Sequence, residues 1–286
     1  MEVIQEFLSL GNCPICSSKE IVSLGYFHYS KPTFFSSNEI CIDKEMELCK
    51  CQNCLSRFVS NPISEKMAVE LYTSGSSEAR WVSARSQSFH SQAIFNLLSS
   101  RLTENIKLLD VGCGSGALLD FAKDKGVETY GVEYSESSCE LLRKKEHTCF
   151  NSLDSVQGKF DIITAFDIVE HLYNIPHFLN QCYDLLSLSG ALVIFSGDCQ
   201  SWVSKLTNTK WWYIGFPEHI AFPSKKYFKS LKNFKVSTWI SVVHPQNPLQ
   251  LNVSTLKYSV RNIMKSTYRG IPCIYPDHFL TILKKS

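Results

Sequence analysis

The feature that most constrains this chain is a short apolar run that leads directly into three closely spaced glycines. Residues 107–111 (Lys-Leu-Leu-Asp-Val) have the pattern of a buried strand, and a helical pattern covers residues 117–125. Between them lie Gly112, Gly114 and Gly116. Glycine allows a sharp turn with no Cβ in the way of a ligand, and the first turn of a helix presents free N–H groups to polar ligand atoms. This order predicts a nucleotide-type α/β unit with its ligand site at the glycine turn.

Two carboxylates flank this turn. The next strand, residues 129–132, ends at Glu133, roughly 20 residues beyond the first glycine, where a carboxylate can accept hydrogen bonds from both hydroxyls of a ribose. Asp110 immediately precedes the turn, where it suits a ligand with a cationic methionine end and would repel a pyrophosphate. The spacing Gly112-x-Gly114-x-x-Ala117 also satisfies the pattern of NAD- and FAD-binding folds, so a nicotinamide-dependent oxidoreductase stays an alternative.

The amino-terminal part carries two Cys-x-x-Cys pairs. They are Cys13, Cys16, Cys51 and Cys54. Each pair places two thiols on one tight turn, and four thiolates are the ligand set of a closed structural zinc site. We therefore expect Zn(II) that supports folding rather than catalysis. Two alternatives stay open: Cys41 or Cys49 replaces one of the four ligands, or all of these cysteines are reduced and bind no metal.

Composition describes a globular protein. Of the 286 residues 44% are hydrophobic and 20% are charged. The amino terminus lacks the pattern of a signal peptide, and no run reaches the ~18 apolar residues of a spanning helix. We expect a cytoplasmic protein with no membrane span, whose 12 cysteines are metal ligands or small apolar fillers. A net charge of +2 and the lack of an arginine-rich run argue against nucleic acid as a partner.

Two histidines are candidates for acid–base chemistry. A strand over residues 160–165 is followed by Glu170-His171, and the carboxyl ends of parallel strands meet at one edge of a sheet. His171 can therefore reach an acceptor beside the glycine turn and take its proton, because an imidazole titrates near neutral pH. His219 competes for that role, and alignment of the reactants without any base is the other alternative.

Further side chains are expected at the same edge. We assign Phe166, which follows the fourth strand, and Ser152, which follows the third, to cofactor binding. Asn151, Ser152 and Leu153, which follow the third strand, are expected to border the adenine. Trp211, Trp212 and Tyr213 form an aromatic run that either stacks on an acceptor or belongs to the core or a lid.

These motifs together resemble those of a known family. Residues 108–116, Glu133 and residues 160–172 are similar to the motifs of class I S-adenosylmethionine-dependent methyltransferases, notably the ubiquinone O-methyltransferase-like group. Residues 211–213 and 217–220, with the cysteine pairs, resemble a branch that carries an amino-terminal zinc-binding module. Relatives of that branch include sugar and natural-product methyltransferases, and we expect no counterpart of the extra carboxy-terminal domain of the sugar C-methyltransferases.

The resemblance implies a fold and a domain order. The expected fold is α/β: a Rossmann-like, seven-stranded, mostly parallel sheet with an antiparallel last strand, flanked by helices and preceded by a small zinc-ribbon-like module. We expect the zinc-binding module over residues 1–62, a linker and amino-terminal helices over 63–103, and the methyltransferase domain over 104–286. Within these parts, the apolar pattern predicts a helix over 81–102, and residues 244–278 form a polar insertion before the last strand.

The resemblance also implies a function. We expect methyl transfer from S-adenosylmethionine to a small-molecule acceptor, namely a hydroxyl of a sugar, a polysaccharide precursor or a natural product. The alternatives are the oxidoreductase, a protein that binds or methylates RNA through its zinc module, and a cofactor-binding scaffold without turnover. These alternatives differ in the ligand that each would bind.

Overall fold

The computed structural model describes residues 2–74, 106–242 and 276–286. The helix expected over residues 81–102, and residues 244–275 of the expected insertion, lie outside the described residues. No helix in the described ranges is long and apolar enough to cross a membrane.

The amino-terminal part is built mainly from short strands, which reflects its alternating apolar residues and frequent turns. Its elements are β1 (Glu2–Val3), β2 (Ile21–Phe27), β3 (Thr33–Phe35), β4 (Asn38–Cys41), β5 (Met46–Cys51), β6 (Arg57–Val59) and helix α1 (Glu65–Ser74). Strands β1, β4 and β3 form one small sheet, and β2, β5 and β6 belong to another.

Strands and helices then alternate, as expected for an α/β unit. The elements are β7 (Lys107–Val111), α2 (Ala117–Lys123), β8 (Glu128–Val132), α3 (Glu136–Lys144), β9 (Thr148–Phe150), β10 (Phe160–Phe166), α4 (Ile175–Leu185), β11 (Leu186–Gly197), α5 (Trp202–Thr207), β12 (Ala221–Phe222), α6 (Lys225–Ser230), β13 (Phe234–Val242) and β14 (His278–Lys285). Local signals set several helix starts. The Ser135 hydroxyl accepts the N–H of Ser138 at the start of α3, and the Asn174 side chain accepts the N–H of His177 at the start of α4.

The described residues confirm the expected seven-stranded sheet. Its order is β13-β14-β11-β10-β7-β8-β9, and β14 runs antiparallel to both of its neighbours while the other pairs are parallel. Strand β7 lies between β10 and β8, so the chain reverses its direction of winding there. Ligands of open α/β sheets bind in the crevice at such a switch point, outside the carboxyl ends of the strands. The topology therefore places the glycine turn where a ligand is expected.

The cysteine-bearing part shares a sheet with later residues. Strand β12 pairs with β6, with Ala221 opposite Phe58, so the second sheet has the order β12-β6-β5-β2. The Arg57 guanidinium, which is almost completely buried, donates to the Ser204 carbonyl oxygen at 2.9 Å. One hydrophobic cluster contains Ile15 and Phe58 from this part together with Phe228 from α6. The first 62 residues thus pack directly against the segments that connect strands of the seven-stranded sheet.

One expectation about the cysteines is wrong. Cys139 in α3 and Cys149 in β9 form a disulfide, although the sequence favoured thiols that bind metal or fill space. The helix and the strand that follows it bring the two Cα atoms to 5.5 Å, which is within the usual range for this bond. Their separation of 10 residues in the sequence did not indicate that the two thiols lie close together.

Candidate active site

A cavity of about 690 Å³ lies at the carboxyl ends of β7, β8 and β10. Its floor is the glycine turn, and the ends of β8 and β10 form two of its sides. The opposite wall comes from α1 and from residues 212–219. The amino-terminal part therefore contributes directly to the cavity, which the sequence did not indicate.

The glycine turn is shaped by conformations that favour glycine. Gly112 has φ +73°, and a Cβ there would lie 2.1 Å from Cδ1 of Ile168. Gly112 and Gly114 line the cavity. Gly116, with φ +80°, begins α2 instead, and a Cβ there would meet Leu142 at 2.2 Å. Gly116 thus supports the turn by packing and does not itself line the cavity.

Glu133 faces the glycine turn with both carboxylate oxygens held by the main chain. The N–H of Gly114 donates to Oε2 at 3.0 Å, and the N–H of Ser135 donates to Oε1 at 3.1 Å. The carboxyl is half-buried, and burial raises its pKa. A carboxylate offers about four lone-pair sites, so each oxygen can accept one further hydrogen bond. Both oxygens of Glu133 thus retain capacity for further donors.

Asp110 lies at the base of the cavity beside the turn. It is almost fully buried, and its Oδ1 accepts a 2.6 Å hydrogen bond from the Thr164 hydroxyl on β10. Burial raises the pKa of Asp110 to about 7. The carboxyl links the ends of β7 and β10, and it lines the cavity where a polar ligand group could meet it.

The two remaining cofactor candidates have different positions. Phe166, the last residue of β10, lines the cavity and contacts Phe195 edge to face. Ser152 does not line it, because this residue precedes a short 3₁₀ turn and its carbonyl oxygen accepts the hydroxyl of Ser155 at 2.7 Å. Its neighbours Leu153 and Asp154 line the cavity in its place. Of the three residues expected to border the adenine, Leu153 lines the cavity and Ser152 does not.

The two candidate histidines lie together in the cavity wall. Their rings are 4.9 Å apart and nearly perpendicular. Nδ1 of His171 lies 3.1 Å from the Glu218 carbonyl oxygen and 3.0 Å from the Tyr72 hydroxyl, and Nδ1 of His219 lies 2.6 Å from the Tyr213 carbonyl oxygen. Burial lowers the pKa of His171 to about 4 and holds the pKa of His219 well below its usual value. Both imidazoles are therefore neutral at neutral pH.

A third group of side chains was not singled out from the sequence as a unit. The Tyr213 hydroxyl contacts Glu170 and lies 2.9 Å from Oδ1 of Asp167. Glu170 is fully buried, and its Oε2 accepts a 2.8 Å hydrogen bond from the Ser196 hydroxyl. Burial, and secondly the charge of Asp167, raise the pKa of Glu170 to about 8. The sequence signal for this group was the set of polar residues after β10, because functional residues of this fold class lie at strand ends.

The aromatic run of residues 211–213 divides between core and cavity. Trp211 is fully buried against Phe222 and does not line the cavity, so the stacking role is wrong for this residue. Trp212 and Tyr213 do line it. The indole N–H of Trp212 donates to Asp277 at 2.6 Å, and Asp277 also accepts from Nδ1 of His278 at 2.8 Å.

The four cysteines of the two Cys-x-x-Cys pairs converge. Their sulfurs lie within 4.8 Å of one another, with 3.8 Å between Cys13 and Cys54 and 3.5 Å between Cys16 and Cys51. Tetrahedral zinc with Zn–S bonds of about 2.3 Å separates its sulfurs by about 3.8 Å. The donor set and its spacing therefore fit a zinc ion. The group contains neither of the alternative ligands, Cys41 and Cys49.

Comparison with known proteins identifies one family model, described as a methyltransferase domain, which matches residues 85–233. Ubiquinone biosynthesis O-methyltransferases of Bradyrhizobium diazoefficiens and Nitrobacter winogradskyi are 29% and 32% identical over 109 and 107 residues, which cover 35% and 34% of this chain and 43% and 41% of theirs. Sphingolipid C9-methyltransferase B of Emericella nidulans is 33% identical over 116 residues, or 35% of this chain and 23% of its own. The chain thus matches less than half the length of these relatives.

Solved structures are more distant. Coclaurine N-methyltransferase bound to N-methylheliamine and SAH has 16% identity and a TM-score of 0.48, covering 68% of this chain and 70% of its own. A SAM-dependent methyltransferase from Archaeoglobus fulgidus has 19% identity and a TM-score of 0.46, covering 78% of this chain and 100% of its own.

Proposed function

Because the chain belongs to the methyltransferase domain family, we propose that it transfers the methyl group of S-adenosylmethionine to a small-molecule acceptor. The observation that carries this proposal is the pairing of the Gly114 N–H with Glu133 at the edge of the 690 Å³ cavity. This contact joins the first and second strands of the unit at the place where a nucleoside binds in α/β folds. The cavity extends beyond it and leaves room for an acceptor.

The cofactor half of the cavity is assigned to residues at the ends of three strands. Glu133 accepts the ribose hydroxyls, Gly112 and Gly114 let the main chain approach the ligand, and Asp110 orients the turn near the methionine end. Leu153 and Asp154 border the adenine. When bound, the cofactor supplies a methyl group on a cationic sulfur. Phe166, at the end of β10, packs against the same ligand.

We assign to the acceptor half the side chains of Tyr72, His171, Trp212, Tyr213 and His219, all of which line the cavity. Neutral imidazoles and phenols form hydrogen bonds with hydroxyl groups, and aromatic faces pack against sugar rings and apolar rings. These side chains support the proposal that the acceptor is a hydroxyl of a sugar, a polysaccharide precursor or a natural product. His171 and His219 contact the acceptor in this arrangement.

We assign Zn(II) to the four clustered cysteines as a structural ion. A closed site with four sulfur donors has no open position for water or substrate, so the ion stabilises the amino-terminal part and performs no chemistry. Because this part carries α1 into the cavity wall, the zinc ion supports the acceptor half through the fold. Residues 1–62 hold the zinc ion and lead into α1, and they act as a module in that respect.

Ligand-dependent melting separates this function from its alternatives. A ligand that binds the native state raises the melting temperature, so S-adenosylhomocysteine should raise it and NADH should not. Methyl transfer is then measured as S-adenosylhomocysteine release with methyl glycosides and simple phenols as acceptors. Stabilisation by NADH alone would indicate an oxidoreductase. Binding of RNA that weakens steeply as salt rises would indicate the nucleic-acid alternative.

A further inference from the structure

Asp167 occupies a strained position at the junction of the two halves of the cavity. It directly follows β10, and its backbone has φ +52°, in the left-handed region that costs most non-glycine residues about 1–2 kcal/mol and that aspartate adopts more readily. Its N–H donates to the Phe195 carbonyl oxygen on β11 at 3.0 Å, which fixes this conformation. The side chain lines the cavity. Strained non-glycine residues of this kind concentrate at functional sites.

The side chains behind Asp167 form one chain of hydrogen bonds. Tyr213 lies between Asp167 and the fully buried Glu170, and Ser196 lies on the far side of Glu170. The phenol has one proton and cannot donate it to two carboxylates at once. The four groups therefore require one additional proton. Glu170 is fully buried and burial raises its pKa to about 8, whereas Asp167 lines the cavity, so Glu170 is the carboxyl that favours the proton.

With this proton the chain has a single direction. Ser196 donates to Oε2 of Glu170 and Tyr213 donates to Asp167, so the inferred proton on Glu170 would supply the hydrogen of the Tyr213–Glu170 contact. The negative charge then resides on Asp167, at the end that faces the cavity. The neighbouring imidazoles are weaker candidates for taking a proton, because burial lowers the pKa of both and so disfavours their charged forms.

We propose that Asp167 is the catalytic residue that receives the acceptor's proton, and that Tyr213 and Glu170 are positioning residues that hold its negative charge at the cavity. The inference rests on the proposed methyl transfer. The acceptor O–H bond breaks as its proton moves to the Asp167 carboxylate. An oxygen electron pair forms the new bond to the methyl carbon, and the carbon–sulfur bond breaks with its electrons remaining on sulfur. Asp167 returns the proton to solvent when the products leave.

The placement of the proton is tested without any acceptor. Infrared difference spectra of the full-length protein at neutral pH distinguish protonated from ionised carboxyl groups. The Glu170→Gln variant should lack one protonated-carboxyl band that the wild-type protein shows, whereas Asp184→Asn, a change at an exposed carboxylate, should leave the spectrum unchanged. Identical protonated-carboxyl bands in the wild type and in Glu170→Gln would mean that Glu170 is ionised, which overturns the proposal.

The chemical role is tested by turnover with the glycoside and phenol panel. Asp167→Asn should lower the rate at saturating cofactor by at least ~10²-fold, the smallest typical contribution of a proton acceptor, while S-adenosylhomocysteine affinity stays unchanged. His171→Gln should lower it less. Tyr213→Phe should move the acidic limb of the pH–rate profile upward, and Glu170→Ala should lose more turnover than Glu170→Gln, whose amide still donates to Tyr213.

The outcomes separate the two proposals. Equal turnover in Asp167→Asn and the wild type, or an unmoved acidic limb in Tyr213→Phe, overturns the role of Asp167 and leaves the methyltransferase assignment intact. Failure of the wild-type protein to bind S-adenosylhomocysteine overturns the proposed function instead. The infrared comparison can be interpreted in either case, because it requires neither S-adenosylhomocysteine nor an acceptor.

Discussion

The main-chain N–H of Gly114 donates a 3.0 Å hydrogen bond to Oε2 of Glu133, so the turn after β7 and the end of β8 are joined before any ligand binds. The two strands pair in parallel register up to this contact, with Val111 opposite Val132. A crevice that is already formed costs less conformational entropy when a ligand enters. The hydrogen bond between Gly114 and Glu133 thus explains why we assign both residues to one site.

The glycine turn gives the first prediction. Gly112→Ala should weaken S-adenosylhomocysteine binding, because its Cβ would lie 2.1 Å from Ile168 Cδ1 in a turn that lines the cavity. Gly158→Ala is the matched control: this glycine also has positive φ, at +106°, but open space surrounds its Cβ position. The control should lose about 1–2 kcal/mol of stability and no affinity. Calorimetric titration of both variants measures the difference, and equal losses of affinity would contradict it.

The cysteine cluster gives the second prediction. The purified protein should contain about one zinc ion per chain, and the Cys13→Ser, Cys51→Ser double variant should contain none, because two of the four sulfur ligands are lost. The variant should lose at least ~3 kcal/mol of stability, which lowers Tm by roughly 10 °C for a protein of this size. Elemental analysis and thermal melting measure these two results.

Cys49 supplies the control for the zinc site. It is buried beside the second cysteine pair but lies outside the four-sulfur group. Cys49→Ser should therefore retain the metal. Equal zinc content in the double variant and the wild type would show that the ion binds elsewhere.

The third prediction concerns the contribution of α1 to the acceptor half. Tyr72→Phe removes a hydroxyl that lies 3.0 Å from Nδ1 of His171. The change should raise the acceptor KM or lower kcat by about three- to tenfold, the value of one neutral hydrogen bond of about 1 kcal/mol. S-adenosylhomocysteine affinity should stay unchanged. Tyr26→Phe, at an exposed tyrosine, is the control. A loss confined to cofactor affinity would place Tyr72 in the wrong half of the cavity.

The fourth prediction follows from the lowered pKa of His171. In the unfolded chain this histidine binds a proton near pH 6.5, but in the folded protein it does so only near pH 4, because burial opposes the charged form. Between these values the unfolded state holds more protons, so stability decreases as pH falls from 6.5 to 4. His171→Gln should remove part of this decrease, although His219 acts in the same direction. Denaturant unfolding at several pH values measures how the free energy of unfolding changes with pH in the wild type and in His171→Gln. Equal slopes for the two proteins would contradict the prediction.

Local sequence patterns predicted which strand ends line one part of the cavity. The glycine turn and Glu133 lie at the ends of adjacent parallel strands, and the order of those strands follows from the alternation of strand and helix. Spacing could not resolve single positions in the irregular turn after β9, where Leu153 of the expected residues, together with Asp154, lines the cavity.

The acceptor half could not be predicted in the same way, because its contacts are distant in sequence. The Tyr72 hydroxyl and His171 are 99 residues apart, and the Ser36 N–H donates to Glu218 across 182 residues. No local periodicity records such pairings. The disulfide of Cys139 and Cys149 was missed for another reason. Disulfides were not expected at any cysteine because the cytoplasm is reducing, although α3 and β9 bring this pair together locally.

The measurement that tests the account most directly is calorimetric titration of S-adenosylhomocysteine into the wild-type protein and into Glu133→Ala. We expect the wild type to bind about one ligand per chain. Hydrogen bonds to a charged group are worth about 1.5–3 kcal/mol, so Glu133→Ala should weaken binding by tenfold or more. Glu128→Ala, at the exposed start of the same strand, should bind like the wild type. No binding of S-adenosylhomocysteine to the wild type, or equal affinity in a folded Glu133→Ala variant, would contradict the account.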